Sequence, residues 1–498
     1  MTAINHKKNL LFVIPFGITL VILNVIRMLN VPITHDETGY VASYTFLDLI
    51  TEKIVSANNH ILHSVFRKFF VELLGFHLFV LRLDSCLALI GFIVMSYLVC
   101  KVLFRNNWWL LCSFIMLNMS TPFVFNFWGL SRGYALGMFF MIMSIYFLLS
   151  YINSFKPRLL LFSLLAGILT VESNFGLLNF FIALAGVIVL QQMLFRRTPE
   201  QKKLIKTEWA YLLSGVAVLA LLITQPLIRL HGGGELAYLG RNGFIEDTIG
   251  SLGRCSIYGS SNEAAIMKVL PWLVVGLFWL MVAYWLFAYV KKGLYTNIAD
   301  VNVKFGFVLT LLVAIPVLSL MAQFHILGIN YLIDRTAIFF IILFFLQLTF
   351  FLYHLSARLR VVATSVFLLF FSVIVFHFVQ KFDYERAILW WNDAPDITIL
   401  HKMAHDSQNK KGKVKVCMNW LFIPPFETYD MPHYYNGRFD KIAKFGEGNP
   451  ADSLVYDFYY VQWDEVAKVP KSYVVDTQVF GGAFVLFKKQ ADSLSAAK

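Results

Sequence analysis

Long apolar stretches recur along most of this chain, and they constrain its fold more than any other feature. Each is about 20 residues long, which is the length that an α-helix needs to cross the hydrocarbon core of a membrane. Of the 498 residues, 58% are hydrophobic and only 14% are charged. Such a composition is typical of polytopic membrane proteins rather than soluble ones. We therefore expect an α-helical polytopic membrane protein.

The pattern predicts about eleven transmembrane helices. The first is longer than the apolar part of a secretory signal and lacks a small-residue cleavage site, so we expect an uncleaved span. The predicted spans are residues 9–29, 83–104, 108–122, 134–149, 159–171, 176–194, 209–230, 269–290, 305–320, 337–353 and 361–378.

The positive charge of the chain indicates its orientation. The net charge of +12 lies mostly in short loops, above all in residues 196–206. Lysine and arginine in short loops favour the cytoplasmic side of a membrane. We expect a cytoplasmic N-terminus and an extracytoplasmic C-terminal region, as in a multi-pass protein of the bacterial inner membrane. We therefore interpret the positive charge as a signal of topology in a protein that is surrounded by membrane lipids. No nucleic-acid partner is expected.

Two parts of the chain are predicted to lie outside the membrane. In the first outer segment, residues 40–54 and 61–74 show helical spacing of apolar side chains and are expected to be interfacial helices. Residues 380–498 are expected to form a small α/β domain, separate from a membrane domain of residues 1–379. Its predicted elements are a helix at 396–405 and strands at 413–418, 454–461, 473–479 and 483–488, with Gly481-Gly482 as a hairpin turn.

The five cysteines give little information about the fold. Cys86, Cys100 and Cys112 fall in or near apolar spans, where cysteine usually acts as a small core residue. Cys255 and Cys417 fall in segments predicted to share one side of the membrane. Whether these two form a disulfide is left open by the sequence.

Two adjacent carboxylates, Asp36 and Glu37, follow closely on the first predicted span. A carboxylate beside a membrane is costly unless it is solvated, paired or used in chemistry. A base at this boundary would suit a reaction between a lipid and a water-soluble substrate. The same residues also complete a capping box, in which Thr34 and Glu37 close the start of a helix. The local sequence supports both interpretations.

The predicted outer segments also contain arginines that suit a phosphate. Arginine can form two parallel hydrogen bonds with a phosphate group. Arg132 precedes the fourth predicted span with Tyr134 beside it, and Arg335 precedes the tenth. An interfacial anchor is the alternative role for Arg132, and we favour phosphate binding because aromatic residues flank it.

A second group of polar residues is a candidate acceptor or sugar site. His60 and His63 stand three residues apart, on one face of a predicted helix. They could hold a divalent metal together with Glu37, but two histidines without a fixed third ligand more often form hydrogen bonds or position an acceptor. The remaining members of this group are Asn59 and Glu172.

Three features of residues 1–200 occur together. An Asp-Glu pair follows the first span, two interfacial helices come next, and the stretch Ser131-Arg-Gly-Tyr-Ala-Leu opens the fourth span. This combination resembles the GT-C superfamily of glycosyltransferases. It is most similar to protein O-mannosyltransferase-like enzymes and to the lipid A aminoarabinose transferases. Beyond residue 200 the resemblance is one of topology alone.

The resemblance implies a function and roles for several residues. These enzymes transfer a sugar from a polyprenyl or dolichyl phosphate to an acceptor on the outer or lumenal face. Asp36 matches their catalytic acidic residue and Arg132 a basic residue that faces the lipid phosphate, while Arg335 matches a late basic residue in position only. Glu172 stands where many relatives have lysine, and no outer segment has the Asp-x-Asp of metal-dependent oligosaccharyltransferases. The sugar and any divalent metal stay open, and no cofactor is firmly predicted.

The sequence therefore predicts a GT-C-type inverting glycosyltransferase. Its donor is a polyprenyl-phosphate-linked sugar, and its acceptor is a glycan, a lipid or a protein. Asp36 is the expected catalytic base, with Glu37 beside it. A lipid or solute transporter is one alternative, although transporters tend to place charge at the membrane midplane rather than at one face. A polymerase or ligase of lipid-linked glycans is another, because it would share donor and topology.

Overall fold

The architecture is that of a computed structural model, which describes residues 2–38, 45–50, 60–104, 108–119, 121–195, 197–233, 240–293, 300–355, 357–390, 393, 396–429, 438–445 and 456–489. These residues are mostly helical, and a small mixed β-sheet lies near the C-terminus. The predicted class, a helical polytopic membrane protein with a small C-terminal α/β part, is confirmed.

The helices follow one another with short connections. In chain order they are α1 (Thr2–Asn30), α2 (Phe46–Ile50), α3 (Ile61–Leu74), α4 (Leu78–Leu81), α5 (Leu83–Phe104), α6 (Trp108–Met119), α7 (Pro122–Trp128), α8 (Tyr134–Ser154), α9 (Pro157–Ser173), α10 (Leu178–Leu194), α11 (Pro199–Lys203), α12 (Ile205–Gly232), α13 (Gly250–Ser256), α14 (Glu263–Met267), α15 (Leu270–Gly293), α16 (Val301–Leu327), α17 (Phe339–His354), α18 (Ala357–Lys381), α19 (Asp396–Asp406) and α20 (Ile423–Tyr429).

Nine of the helices in the described residues are long and apolar enough to cross a membrane, namely α1, α5, α8, α10, α12, α15, α16, α17 and α18. The two other predicted spans are shorter helices, because α6 has 12 residues and α9 has 17. Pro122, the last residue of the third predicted span, instead begins the separate helix α7, at a position where proline fits a first helical turn. The expected eleven spans are thus nine long helices and two shorter ones.

The predicted interfacial helices are found in part. Residues 61–74 form α3 as expected, with the apolar Phe69, Leu73 and Leu74 exposed and His63 and Lys68 buried. Within the other prediction, residues 46–50 form α2, while residues 40–44 and 51–54 lie outside the described part of the chain. The interfacial location of both helices stays a prediction.

The chain packs as two compact units. The membrane unit comprises Met1–Ile26, Thr45–Phe70 and Arg82–Phe382. The C-terminal unit comprises Asp383–Lys498 together with Arg27–Tyr44 and Val71–Leu81. Two segments from the N-terminal half therefore belong to the unit that the sequence prediction began at residue 380.

Buried polar contacts fix the helices of the membrane unit that lead to the candidate site. Ser144 in α8 and Ser163 in α9 donate hydrogen bonds to each other's carbonyl oxygens, both at 2.9 Å. Small hydroxyl residues of this kind let membrane helices approach closely. Asn24 of α1 donates to the carbonyl of Trp128 at 3.0 Å, and Ser85 of α5 donates to that of Leu130 at 2.7 Å. These contacts hold the turn between α7 and α8 in place.

The C-terminal unit contains a five-stranded mixed sheet. Its strands are β1 (Val414–Met418), β2 (Phe439–Lys444), β3 (Phe458–Gln462), β4 (Tyr473–Val479) and β5 (Phe484–Lys489), in the order β2-β1-β3-β5-β4. β1 is parallel to β2 and β3, and β5 is antiparallel to β3 and β4. The predicted hairpin is confirmed, with Gly482 at φ +95° in its turn. β2 was not predicted.

Candidate active site

The polar turn after α1 contains the two predicted carboxylates. Residues His35–Glu37 form one 3-10 turn that begins after Thr34. The Glu37 carboxylate is buried and accepts a hydrogen bond from the backbone N–H of Thr34 at 3.0 Å. A carboxylate that accepts from the first N–H of a turn stabilises its start. The capping interpretation therefore describes Glu37, and its place beside a catalytic base stays a prediction.

Asp36 lies beside a histidine that a third carboxylate holds in place. One oxygen of Asp393 accepts a hydrogen bond from the backbone N–H of His35 at 2.8 Å, and it lies 3.0 Å from His35 Nδ1. His35 Nε2 lies 3.5 Å from Asp36 Oδ1. The imidazole therefore stands between two carboxylates, with one ring nitrogen facing each.

Burial dominates the electrostatics of the acidic residues next to this histidine. It raises the pKa of Asp393, while the hydrogen bonds and the charge of His35 act to lower that pKa. Burial, and next the charge of Asp393, raise the pKa of Asp396 well above its ordinary value. The Tyr460 hydroxyl on β3 is held in the un-ionised form by burial and by both aspartates, which raise its pKa. The C-terminal unit thus provides a low-dielectric wall behind His35.

Arg132 lies in the tight turn between α7 and α8 of the membrane unit. Its backbone N–H donates to the carbonyl of Leu130 at 2.8 Å, and the whole residue is only 2% exposed. The guanidinium carbon lies 5.9 Å from the centre of the Tyr134 ring. A planar guanidinium held against an aromatic face is a common arrangement in phosphate recognition.

His60 lies in the loop before α3, close enough to Arg132 and Arg335 for their charges to act on it. Its ring meets the Tyr134 ring edge-on, with the ring centres 5.2 Å apart. Burial lowers the pKa of His60 well below its ordinary value, and the charges of Arg132, His63 and Arg335 lower it further. Its Nε2 atom is buried and has no hydrogen-bond partner among the described residues. His60 is therefore neutral and has a polar atom available for a ligand.

His63, on the next turn of α3, makes contacts of a different kind. Its Nδ1 atom is hydrogen-bonded to Asp84 at the start of α5, and its Nε2 atom lies 3.2 Å from the Ser131 hydroxyl. All three residues are buried. Because both ring nitrogens have protein partners, sugar or metal binding by His63 would require one of these contacts to break. The chain of contacts instead fixes the residue that precedes Arg132.

Gly133 allows three elements to meet at this point. A Cβ atom added to it would lie 1.9 Å from the carbonyl oxygen of Ser173 and 2.7 Å from the Cβ and Cγ atoms of His60. Only a residue without a side chain fits such a close approach. The last turn of α9 and His60, the residue just before α3, are therefore packed directly against the turn that carries Arg132.

Glu172 lies in that last turn of α9, just beyond the predicted apolar span. Burial raises the pKa of its carboxyl group to about 7. Its Oε1 atom is buried and has no hydrogen-bond partner among the described residues. A half-buried carboxyl group of this kind can accept or donate a hydrogen bond near neutral pH.

Arg335 lies in the loop between α16 and α17, which is fixed by the segment before α13. Tyr331 and Gly240 exchange two backbone hydrogen bonds at 2.8 and 2.9 Å, and the Thr248 hydroxyl donates to the Leu332 carbonyl at 2.7 Å. Asp334, just before the arginine, has a left-handed backbone with φ +46°. Such a conformation is costly and is maintained here by the surrounding contacts.

The predicted site residues are thus found in two groups. One group lies in the membrane unit and consists of His60, His63, Arg132 and Tyr134. Arg335 is close enough to this group for its charge to lower the pKa of His60. Asp36 and Glu37 belong to the C-terminal unit. Asn59 lies outside the described residues. Within the described ranges, no group of three or more His, Cys, Asp and Glu side chains is placed to hold a metal ion.

Two contacts around the candidate site were missed by sequence reasoning. Asp84 opens an otherwise apolar span, and a charged group there is a signal for a buried partner, which is His63. Asp393 is 358 positions away from His35 in sequence, and no local pattern connects them. The predicted alternative of a Cys255–Cys417 disulfide is not formed, because all five cysteines are free thiols.

Comparisons with known proteins give a similarity in fold only. No protein-family model matches the chain, and no curated protein sequence matches it. The structure is similar to that of ArnT from Cupriavidus metallidurans bound to undecaprenyl phosphate, with a TM-score of 0.44, 11% identity and coverage of 97% of this chain and 98% of that one. The apo form of the same ArnT has a TM-score of 0.44, 12% identity and coverage of 95% and 97%.

Proposed function

We propose that this protein is an inverting glycosyltransferase. It moves a sugar from a polyprenyl-phosphate donor to a glycan, lipid or protein acceptor on the extracytoplasmic face of a membrane. Asp36 is the general base, with Glu37 capping its turn, and Arg132 binds the donor phosphate with the help of Tyr134 and Arg335. The extracytoplasmic placement is supported by the basic loop 196–206, since such loops favour the opposite side.

The observation that carries the proposal is the electropositive group around His60. The charges of two arginines, together with burial, lower the pKa of this histidine and keep it neutral. Its buried Nε2 atom has no hydrogen-bond partner among the described residues. A buried site that collects positive charge and keeps its histidine neutral suits an anion better than any other ligand. Because the group lies at the ends of membrane helices, a lipid phosphate is the anion that matches its position.

The reaction follows from these groups. The acceptor hydroxyl attacks the anomeric carbon of the donor, while the Asp36 carboxylate removes the hydroxyl proton. The bond from the anomeric carbon to the phosphate oxygen breaks, and the arginines stabilise the charge that develops on the departing phosphate. A single displacement inverts the anomeric carbon. His60 Nε2 and the Glu172 carboxyl are assigned to hydrogen bonds with the sugar or acceptor.

The test uses purified protein with polyprenyl-phosphate sugars. The donor and acceptor are first identified by mass spectrometry of lipid-linked and surface glycans in cells with and without the gene. Asp36→Asn should then lower kcat by about 10²–10⁴-fold and leave donor binding unchanged, because the amide cannot accept the proton. An Asp36→Asn protein that turns over at the wild-type rate would remove the mechanism.

Glu37→Gln is the matched control for this substitution. Glutamine can still accept the hydrogen bond from the Thr34 N–H, so the turn should survive. We expect a clearly smaller loss of kcat for Glu37→Gln than for Asp36→Asn. Equal losses for the two variants would indicate that the turn itself, rather than the Asp36 carboxylate, is what activity requires.

A further inference from the structure

His35 occupies a position that connects Asp36 to the outside. Its side chain is 24% exposed, whereas the side chains of Asp36 and Asp393 are 7% and 1% exposed. A general base must lose the proton that it gains before it can act again. Asp36 is nearly covered, and the imidazole of His35 is a group close to its carboxylate that also reaches the solvent.

We propose that His35 carries the acceptor proton away from Asp36 and that Asp393 positions His35 for this step. The inference rests on the proposed function, because it needs Asp36 to act as the base. It adds a residue from the far end of the chain to the reaction, as Asp393 follows the last membrane helix by twelve positions. His35 is the proton carrier, and Asp393 is a positioning residue that acts through it.

The hydrogen bonds to Asp393 set the tautomer of the imidazole. A carboxylate accepts hydrogen bonds only, so the Nδ1 atom at 3.0 Å carries the hydrogen. The second bond, from the backbone N–H of His35 to the same oxygen, stops the carboxylate from turning away. The unprotonated Nε2 atom of the neutral ring lies 3.5 Å from Asp36 Oδ1 and is the ring atom left to accept a proton.

The proton balance is complete without any further reagent. The acceptor O–H bond breaks and an O–H bond forms on Asp36. That bond then breaks as an N–H bond forms at His35 Nε2, which leaves the Asp36 carboxylate ionised and the imidazole positively charged. Water that reaches the partly exposed ring takes the proton from Nε2, and this leaves the neutral tautomer with its hydrogen on Nδ1. Asp393 stabilises the charged intermediate, in the way that an aspartate beside a catalytic histidine does in serine hydrolases.

Acidic groups lie close to His35. Besides Asp36 and Asp393, they include Glu37 in the turn itself, and Asp396 at the start of α19 lies close enough to Asp393 for their charges to interact. The burial that disfavours ionised Asp393 is countered by the hydrogen bonds and the charge of His35.

The experiment is chemical rescue of His35→Ala in the full-length protein. The substitution leaves room for free imidazole at a partly exposed position. We expect kcat for sugar transfer to fall by about 10²-fold with the donor KM unchanged, and added imidazole to restore much of it. A kcat that stays at the wild-type value, or a loss that imidazole does not restore, would overturn the proton-carrying role.

A second variant and a control complete the test. If His35→Ala fails to fold, His35→Gln fills the same space without a titratable group and should show the same loss of kcat at unchanged donor KM, whereas a wild-type kcat would again overturn the role. His405→Ala removes another histidine of the C-terminal unit, one that also lies beside an aspartate but is 76% exposed at its side chain. This control should keep wild-type kcat.

The role of Asp393 is tested by a double-mutant cycle. Asp393→Asn alone should lower kcat, but it should cost little when His35 is already alanine, because its effect passes through the histidine. Additive losses would show that Asp393 acts independently and would overturn its positioning role. If the wild-type protein transfers no sugar at all, the proposed function fails and this inference with it. Transfer by wild type with no effect at His35 removes the inference alone.

Discussion

Arg132 is the residue on which donor binding should depend most. Its guanidinium is buried against Tyr134, where a hydrogen bond to an anion is not weakened by water. Arg132→Ala should weaken polyprenyl-phosphate binding by about 10–100-fold, as expected for a lost charge-assisted contact. Arg132→Lys should recover only part of this, because a point charge cannot replace a two-pronged donor. Binding is measured with purified protein and a labelled lipid phosphate.

The control for this prediction is Arg254→Ala, which removes an exposed arginine of the same unit. It should bind the lipid as wild type does, since an exposed charge contributes little. If a folded Arg132→Ala protein also binds like wild type, the arginine is an interfacial anchor and not a ligand.

Glu172 should make stability depend on pH. Its pKa is about 7 in the folded protein against an ordinary value of 4.5, so the folded state binds the proton more tightly than the unfolded state. The stabilisation from this group is complete below the ordinary pKa and is lost as the pH rises through about 7. Glu172→Gln should therefore unfold at a higher temperature than wild type at about pH 8, with the advantage absent near pH 4. A thermal unfolding series in detergent measures this, and a pH-independent difference would contradict it.

At the same scale, the sequence indicated some candidate site residues and not others, for a physical reason. Asp36 and Arg132 are predicted site residues because each is a charged group next to a long apolar run, and such groups are expensive without a use. Asp393 could not be predicted, because its importance lies in a contact with His35 that only the folded chain creates. Asp36 lies beside a histidine, whereas Glu37 caps the turn. This difference between the two neighbours also depends on the geometry of the folded turn.

Among the elements, the turn between α7 and α8 is the most sensitive to added volume. Gly133 has an ordinary right-handed backbone, with φ −63°, so alanine would be acceptable there except for the carbonyl of Ser173 and the side chain of His60. Gly133→Ala should push α9 away from Arg132 and destabilise the protein by about 1–3 kcal/mol. We expect lower thermal stability together with weaker lipid-phosphate binding.

Gly276→Ala is the matched control, because a Cβ atom on this α15 residue would meet nothing within 4 Å. Alanine is the better helix former, so this variant should be as stable as wild type or more stable by up to about 1 kcal/mol. Equal behaviour of the two alanine variants would mean that the close contact at Gly133 relaxes at no cost.

The elements that the sequence predicted are those with a strong local pattern. Helix α19 and the hairpin of β4 and β5 were predicted closely, because apolar spacing and a Gly-Gly turn mark them. Strand β2 was missed because Phe439–Lys444 carries three charges in six residues, which is not a typical strand pattern. Its strand conformation depends on parallel pairing with β1, a contact that no local pattern reveals. Likewise α6 satisfies the hydropathy of a span but is only 12 residues long.

For the whole molecule, the orientation in the membrane decides whether the proposed site can meet an extracytoplasmic acceptor. The basic residues of α11 lie at one end of the spans, and such loops favour the cytoplasm. In a cysteine-free variant in intact cells, Lys203→Cys should resist a membrane-impermeant thiol reagent. Trp463→Cys in the C-terminal unit should react, because the Trp463 position is 71% exposed.

Cell lysis supplies the control for accessibility, since Lys203 is exposed in the structure and its replacement should react once the membrane is opened. A replacement at position 203 that reacts in intact cells, with one at position 463 that does not, would invert the protein in the membrane. Asp36 and Arg132 would then face the cytoplasm. Cytoplasmic nucleotide sugars would become available to them as donors, and the case for a lipid-linked donor would rest on the arginine group alone. The labelling pattern therefore tests the proposed donor as well as the topology.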